Sequence, residues 1–166
     1  KQTAYLGNNA TKIFDSLAFF HNLDSYYKKI LITASKLQQI GVSLNFYKNS
    51  ENASIFILNG LNYDFSHESR ILIAIIIRFS KKNLPKEKDL EIYEELLPPI
   101  QIVHWLCSML RLNIELNSEF NRINFEYDLE LDDKVLNINS PNNNLYLTKN
   151  SIAKIQMPNS INLNLV

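Results

Sequence analysis

Few side chains in this sequence have the type and spacing that chemistry requires. There are three histidines, His21, His67 and His104. None is spaced from another like a metal-binding pair on one helix, so each reads as a surface or locally hydrogen-bonded residue. The single cysteine, Cys107, excludes an internal disulfide framework and any multi-cysteine zinc site. It falls on an apolar helical stripe with nothing to lower its pKa, and reads as a small core residue rather than a nucleophile. Residues 87–95 carry five carboxylates, with Lys86 and Lys88 interspersed at their start, a pattern expected of a solvated helix face. With three glycines there is no loop rich enough to wrap phosphates, and no G-x-x-x-x-G-K-[ST] run is present. No Ser–His–Asp set can be assigned. On these residues alone, a complete active site is not expected within the chain.

The scaffold around these residues is bounded by composition. The chain has 166 residues, 46% apolar and 20% charged, enough for one domain, or one domain with an appendage, without covalent staples. Seventeen basic and seventeen acidic side chains leave no net charge. That argues against a nucleic-acid binder, whose affinity comes largely from neutralising phosphates. The longest apolar run, 71–77, is far short of the roughly 18–20 residues a membrane helix needs. No charged-then-apolar leader opens the sequence, so a soluble, cytoplasmic protein without membrane contact is expected. The chain starts at Lys1 on a segment already helical in character, which suggests a piece of something longer. Asparagine is unusually frequent but dispersed among apolar residues, unlike a low-complexity tract.

Periodicity divides the chain in two. Ala10, Ile13, Phe14 and Leu17 predict a first helix ending near Phe20. Asp24 is placed to cap a second, whose stripe runs Tyr27, Ile30, Leu31, Ala34 and Leu37, with Gly41 as its left-handed end. A shorter helix is expected over 52–58, stopped by Asn59 and Gly60. By β-branching 71–77 could be a buried strand, and periodicity does not decide; Ser66 as a cap, Glu68 in the first turn and the basic Arg78, Lys81 and Lys82 at the end favour a helix buried nearly all round. Residues 86–96 suggest another, and Pro98 and Pro99 open the last long one, with Val103, Leu106, Cys107, Leu110 and Ile114 on one face. After Asn117 the period becomes two. Ile123, Phe125, Tyr127, Leu129 and Leu131 predict a strand, residues 132–134 a turn, and Leu136 and Ile138 a return strand. Leu145 and Leu147, then Ile161, Leu163 and Leu165, suggest further strands. The expected fold is α+β, mainly α: a helical body over 1–118 and a small antiparallel sheet over 119–166 packed on it.

Several short motifs then fall in a recognisable order. Leu37-Gln38-Gln39-Ile40-Gly41 sits where HD-superfamily domains place L-H-D-I-G. Phe65-Ser66-His67-Glu68 leads into Ile77-Arg78-Phe79-Ser80-Lys81-Lys82-Asn83-Leu84-Pro85. This resembles the F-S-H-R-E … V-R-Y-H-R-K-G-L-P run in the C-terminal helical domain of the exopolyphosphatase / guanosine-pentaphosphate phosphohydrolase (Ppx/GppA) family. Ile13-Phe14-Asp15-Ser16-Leu17 is similar to that family's L-F-D-Q-L, and Leu110-Arg111-Leu112 to its L-R-L-A-D. The family's trailing strand, helix and strand also fit, so the resemblance covers nearly the whole chain.

The resemblance implies an HD-like helical bundle whose ligand positions have changed. In metal-binding HD domains, histidines, a His-Asp pair and a later Asp hold the cation. The corresponding residues here are Gln2, the pair Gln38 and Gln39, Asn52, Ser80 and Ile114. Neutral amides are poor ligands for a transition metal and isoleucine offers none, so the resemblance implies a degenerate site with neither metal nor hydrolase activity of its own. In the parent family a separate N-terminal actin-like domain holds magnesium and performs the hydrolysis. This chain would carry no cofactor. It would help shape a polyanion channel for polyphosphate or guanosine pentaphosphate, with that catalytic domain and a second copy of itself as partners. Arg78, Lys81, Lys82 and Arg111 match basic positions of the family pattern and could contact phosphates. The alternatives are helix-terminal lysines and arginines facing solvent, and a protein-interaction module built on an abandoned pocket.

Overall fold

The computed structural model describes residues 2–38, 49–60, 65–118, 128–139 and 146–165. Their order is α1 (Gln2–Ser16), α2 (Ala18–His21), α3 (Ser25–Leu37), α4 (Asn49–Gly60), α5 (His67–Phe79), α6 (Glu87–Leu90), a 3₁₀ segment (Glu91–Leu96) and α7 (Ile100–Ser118). Then follow β1 (Asp128–Asp132), β2 (Val135–Asn139), α8 (Tyr146–Ile152), a 3₁₀ turn (Pro158–Ser160) and β3 (Asn162–Leu165). The class is the expected one, mainly helical with a small sheet at the C-terminal end.

Local chemistry accounts for most of the boundaries. The first expected helix is in fact two, broken at Leu17 (φ −101°, ψ 3°). The Leu17 N–H is shared between the carbonyls of Ile13 and Phe14, each at 3.3 Å, and the Phe14 carbonyl also accepts the Nε2–H of His21 at 2.9 Å. A side chain intruding on the backbone ladder is a recognised cause of a kink. Asn22, left-handed at φ 47°, closes α2 by donating to the Ala18 carbonyl. Asp24 caps α3 by accepting the Tyr26 N–H at 2.7 Å, and Ser66 caps α5 by accepting the Ser69 N–H at 3.2 Å, both as expected. Gly41 lies outside the described residues. α4 is longer than the expected 52–58 and runs through Gly60. The 86–96 segment forms a single α turn, boxed by Asp89 Oδ2 accepting the Lys86 N–H, and then tightens to 3₁₀ geometry.

α5 forms the centre of the helical body. Every residue from 71 to 77 is buried, and α5 packs against α3, α4 and α7. Burial on all sides explains the continuous apolar run, and each buried isoleucine or leucine contributes about 1.5–3 kcal/mol. α7 follows Pro98 and Pro99, with the Pro99 carbonyl accepting the N–H groups of Ile102 and Val103. Val103, Leu106, Cys107 and Leu110 are buried as expected, while Ile114 is half-buried against the same core.

The sheet departs from expectation in one pairing. β1 and β2 form the expected antiparallel hairpin, with Leu131 opposite Leu136 and Asp133 left-handed at the turn (φ 50°). β3, however, lies parallel to β2, with Leu136 opposite Leu163 and Ile138 opposite Leu165, so the sheet is mixed rather than antiparallel. A parallel neighbour needs a crossover. α8 lies within that crossover, and Leu147 belongs to it instead of to a strand. Ile123, Phe125, Tyr127 and Leu145 fall outside the described residues. Leu136, Ile138, Ile152, Ile155, Ile161 and Leu165 join the same hydrophobic core as α5 and α7, and Ser108 of α7 donates to the Gln156 carbonyl at 2.7 Å.

Candidate functional site

The basic residues singled out in the sequence gather where α5 ends against α7. Arg78 sits in the last turn of α5, exposed, with its guanidinium 5.9 Å from the Phe79 ring centroid. Lys81 follows one turn on and is also exposed. Lys82 is exposed, but its ammonium pairs with Glu51 of α4. Arg111 projects from α7, half-buried, and its Nη1–H donates to the Lys82 carbonyl at 3.3 Å. Its Nε is buried and has no hydrogen-bond acceptor among the described residues. Thus Arg111 and Lys82 adjoin, Arg78 and Lys81 stand open to solvent, and the Lys82 charge is offset by a carboxylate. Such a corner can attract a multivalent anion.

The positions aligned with HD ligands have assorted fates. Gln2 lies at the start of α1, and Gln39 lies outside the described residues. Gln38 is buried at the end of α3, its backbone N–H bonded to the Ala34 carbonyl at 2.9 Å. Asn52 is half-buried in α4. Ser80, buried, donates its hydroxyl to the Ile77 carbonyl at 2.7 Å and so finishes α5. Ile114 packs on the core. Among the described residues, no three His, Cys, Asp or Glu side chains converge as a metal would require.

The histidines and Cys107 are occupied locally. His21 is buried and stacked at an angle against Phe14 and edge-on to Trp105. Its Nε2–H donates to the Phe14 carbonyl, while Nδ1 accepts the Leu23 N–H at 2.9 Å, which defines the neutral ring and one tautomer. Burial lowers its pKa, partly countered by the Phe14 hydrogen bond and by Asp15. His104 Nε2 bonds the Pro85 carbonyl at 2.8 Å, and His67 Nδ1 lies 2.9 Å from the Arg70 guanidinium. Burial pushes the Cys107 thiol far up, the opposite of a reactive cysteine.

A second polar cluster escaped the sequence reading. Asn113 of α7 is 1% exposed, and its Nδ2 donates to Ser35 Oγ at 2.9 Å and to the Leu6 carbonyl at 3.2 Å. Asn117, one turn on, donates to Asn113 Oδ1 and accepts from Asn9 Nδ2 at 3.0 Å. This chain of amides joins α1, α3 and α7 through their buried faces. The available signal was a pair of asparagines spaced i, i+4 beside an apolar stripe. With its hydrogen bonds made among its own members, the cluster holds helices together rather than presenting groups to a ligand.

No protein-family model matches the chain, and no curated protein matches it. No helix among the described residues is long and apolar enough to cross a membrane.

Proposed function

We propose that the chain is the C-terminal accessory domain of a Ppx/GppA-type phosphatase. In this reading it is a cytoplasmic, HD-like body without catalysis or metal of its own. It positions polyphosphate or guanosine pentaphosphate for a magnesium-dependent actin-like catalytic domain and takes part in contacts between two copies. The ordered motifs along the sequence support the family. The observation that carries the positioning role is the corner of α5 and α7: Arg78 and Lys81 are exposed there, and Arg111 is fixed by its hydrogen bond to the Lys82 carbonyl. Guanidinium and ammonium groups on a fixed scaffold suit the repeated oxyanions of a phosphate chain.

Titration with long-chain polyphosphate tests this. Binding should weaken as salt rises, because exposed charges are screened beyond about 8–10 Å at physiological ionic strength. The Arg78→Ala/Lys81→Ala variant should bind about tenfold more weakly, a loss of about 1.4 kcal/mol. Binding untouched by these changes and by Arg111→Ala removes the phosphate role. Stoichiometric zinc, manganese or iron in the purified protein would instead favour an active phosphohydrolase.

A second reading, a protein-interaction module, draws on different residues. Phe19 is 87% exposed, and Ile55 and Phe56 stand exposed side by side on α4. Under that reading polyphosphate does not bind at all.

A further inference from the structure

The 3₁₀ segment and the start of α7 border an open groove of about 690 Å³. Leu90, buried, and Leu97 and Ile100, half-buried, give it an apolar lining. Glu87, Glu91 and Glu94 also line it and are exposed. None of these three carboxylates forms an ion pair among the described residues; the salt bridges Lys28–Asp15 and Lys82–Glu51 lie elsewhere. Lys88 borders the groove as well, so three negative charges stand against one positive.

The arrangement is unfavourable in the free protein. Glu87 and Glu91 are four residues apart, and Glu91 and Glu94 are three apart on a 3₁₀ segment, where side chains at that spacing eclipse. Like charges so placed repel. An entering cation relieves the repulsion, and an aliphatic stem on that cation would cover the leucines. Lysine and arginine combine those two properties, laying methylenes on apolar surface while the charged end stays at the rim. The volume, within the range of about 300–1,000 Å³ typical of ligand sites, accommodates several side chains in a row rather than one small ion.

We propose that this groove binds an extended basic segment of a partner protein, its lysine or arginine stems lying along Leu90, Leu97 and Ile100 and its charges meeting Glu87, Glu91 and Glu94. The groove shares no residue with the corner of α5 and α7, and its occupant has the opposite charge, so it stands or falls apart from the polyphosphate reading.

The test uses a fluorescein-labelled hexapeptide of alternating lysine and leucine, titrated with the whole chain and followed by anisotropy. Saturable binding is expected, weakening as sodium chloride is raised. Glu91→Gln/Glu94→Gln should weaken it about fivefold, while the thermal midpoint of that variant stays level or rises because repulsion is removed. Absence of saturable binding, or equal affinity in the double variant, overturns the proposal. Three arms need no protein variant. Equal binding of a glutamate–leucine peptide, equal binding of a lysine–serine peptide, or displacement by spermidine at matching concentration would each overturn it, since each removes a feature the groove is argued to read.

Discussion

The junction of α1, α3 and α7 and the far end of α5 are both rich in polar side chains, and they use them in opposite ways. At the junction, Asn9, Ser35, Asn113 and Asn117 are neutral, and they bond to one another and to the Leu6 carbonyl. At the end of α5, Arg78 and Lys81 are charged and exposed. A buried polar group must find partners because desolvation costs more than a hydrogen bond returns. An exposed charge is under no such requirement and can await a ligand. The contrast separates polar residues that build the fold from those available to recognition, a distinction that residue type alone does not make.

The sharpest way to break the comparison is to cut the junction. Asn113→Ala removes the donor to Ser35 and Leu6 and the partner of Asn117 inside a buried interface. A cost of about 2–4 kcal/mol is expected, because several buried groups lose partners together. Urea denaturation measures it. A cost under about 1 kcal/mol would mean the amides are incidental and that apolar packing alone aligns α1, α3 and α7.

How much of this could be read in advance follows the distance over which each feature is decided. The caps at Asp24 and Ser66 were legible because a cap is settled within three residues. For the buried run 71–77 periodicity alone leaves strand and helix equal, and the flanking cap and basic end favour the helix that the structure shows. Leu136 and Ile138 were legible from strict alternation. The direction of β3 was not, because it depends on the crossover that α8 provides, and Leu147 alternates over too few residues to tell a strand from a helix. The amide cluster was illegible for the same reason at longer range: Asn9 and Asn117 are 108 positions apart. The family resemblance marks Arg78, Lys81, Lys82 and Arg111 in the sequence, yet the pairing of Lys82 with Glu51, across 31 positions, and the hold of Arg111 on the Lys82 carbonyl appear only in the fold.

His21 offers a middle-sized test inside the body of the protein. Its ring is neutral, donating at Nε2 and accepting at Nδ1. Protonation would turn the Nδ1 acceptor into a donor facing the Leu23 N–H. Because burial lowers the folded-state pKa below its ordinary value of 6.5, the unfolded chain takes up a proton first as pH falls. The stability that neutral His21 provides is therefore complete above pH 6.5. It declines as pH drops below that value, by about 1.4 kcal/mol per pH unit, until the folded-state pKa is reached. Urea midpoints at pH 7.5, 6.5 and 5.5 should show this decline in the native sequence and a flatter profile in His21→Gln. Parallel profiles would show that another group titrates there.

The smallest expected effect is also the one that most directly sharpens the contrast between the two regions. Lys82 belongs to the basic corner by position but not by available charge, since Glu51 pairs with it. Both partners are more than a third exposed, so the pair contributes only about 0–1 kcal/mol to stability, and Glu51→Gln should move the urea midpoint little. Its effect on polyphosphate should run the other way. Releasing the Lys82 ammonium adds its charge to those of Arg78 and Lys81, and under the polyphosphate reading affinity should rise about twofold to threefold at low salt, with the gain fading as salt screens it. If affinity stays level while Arg78→Ala/Lys81→Ala lowers it, the phosphate path runs along the exposed side of α5 and misses Lys82. If affinity falls, Glu51 is serving to hold Lys82 in place, and the corner is then organised in the same manner as the amide junction, by mutual satisfaction of its own polar groups.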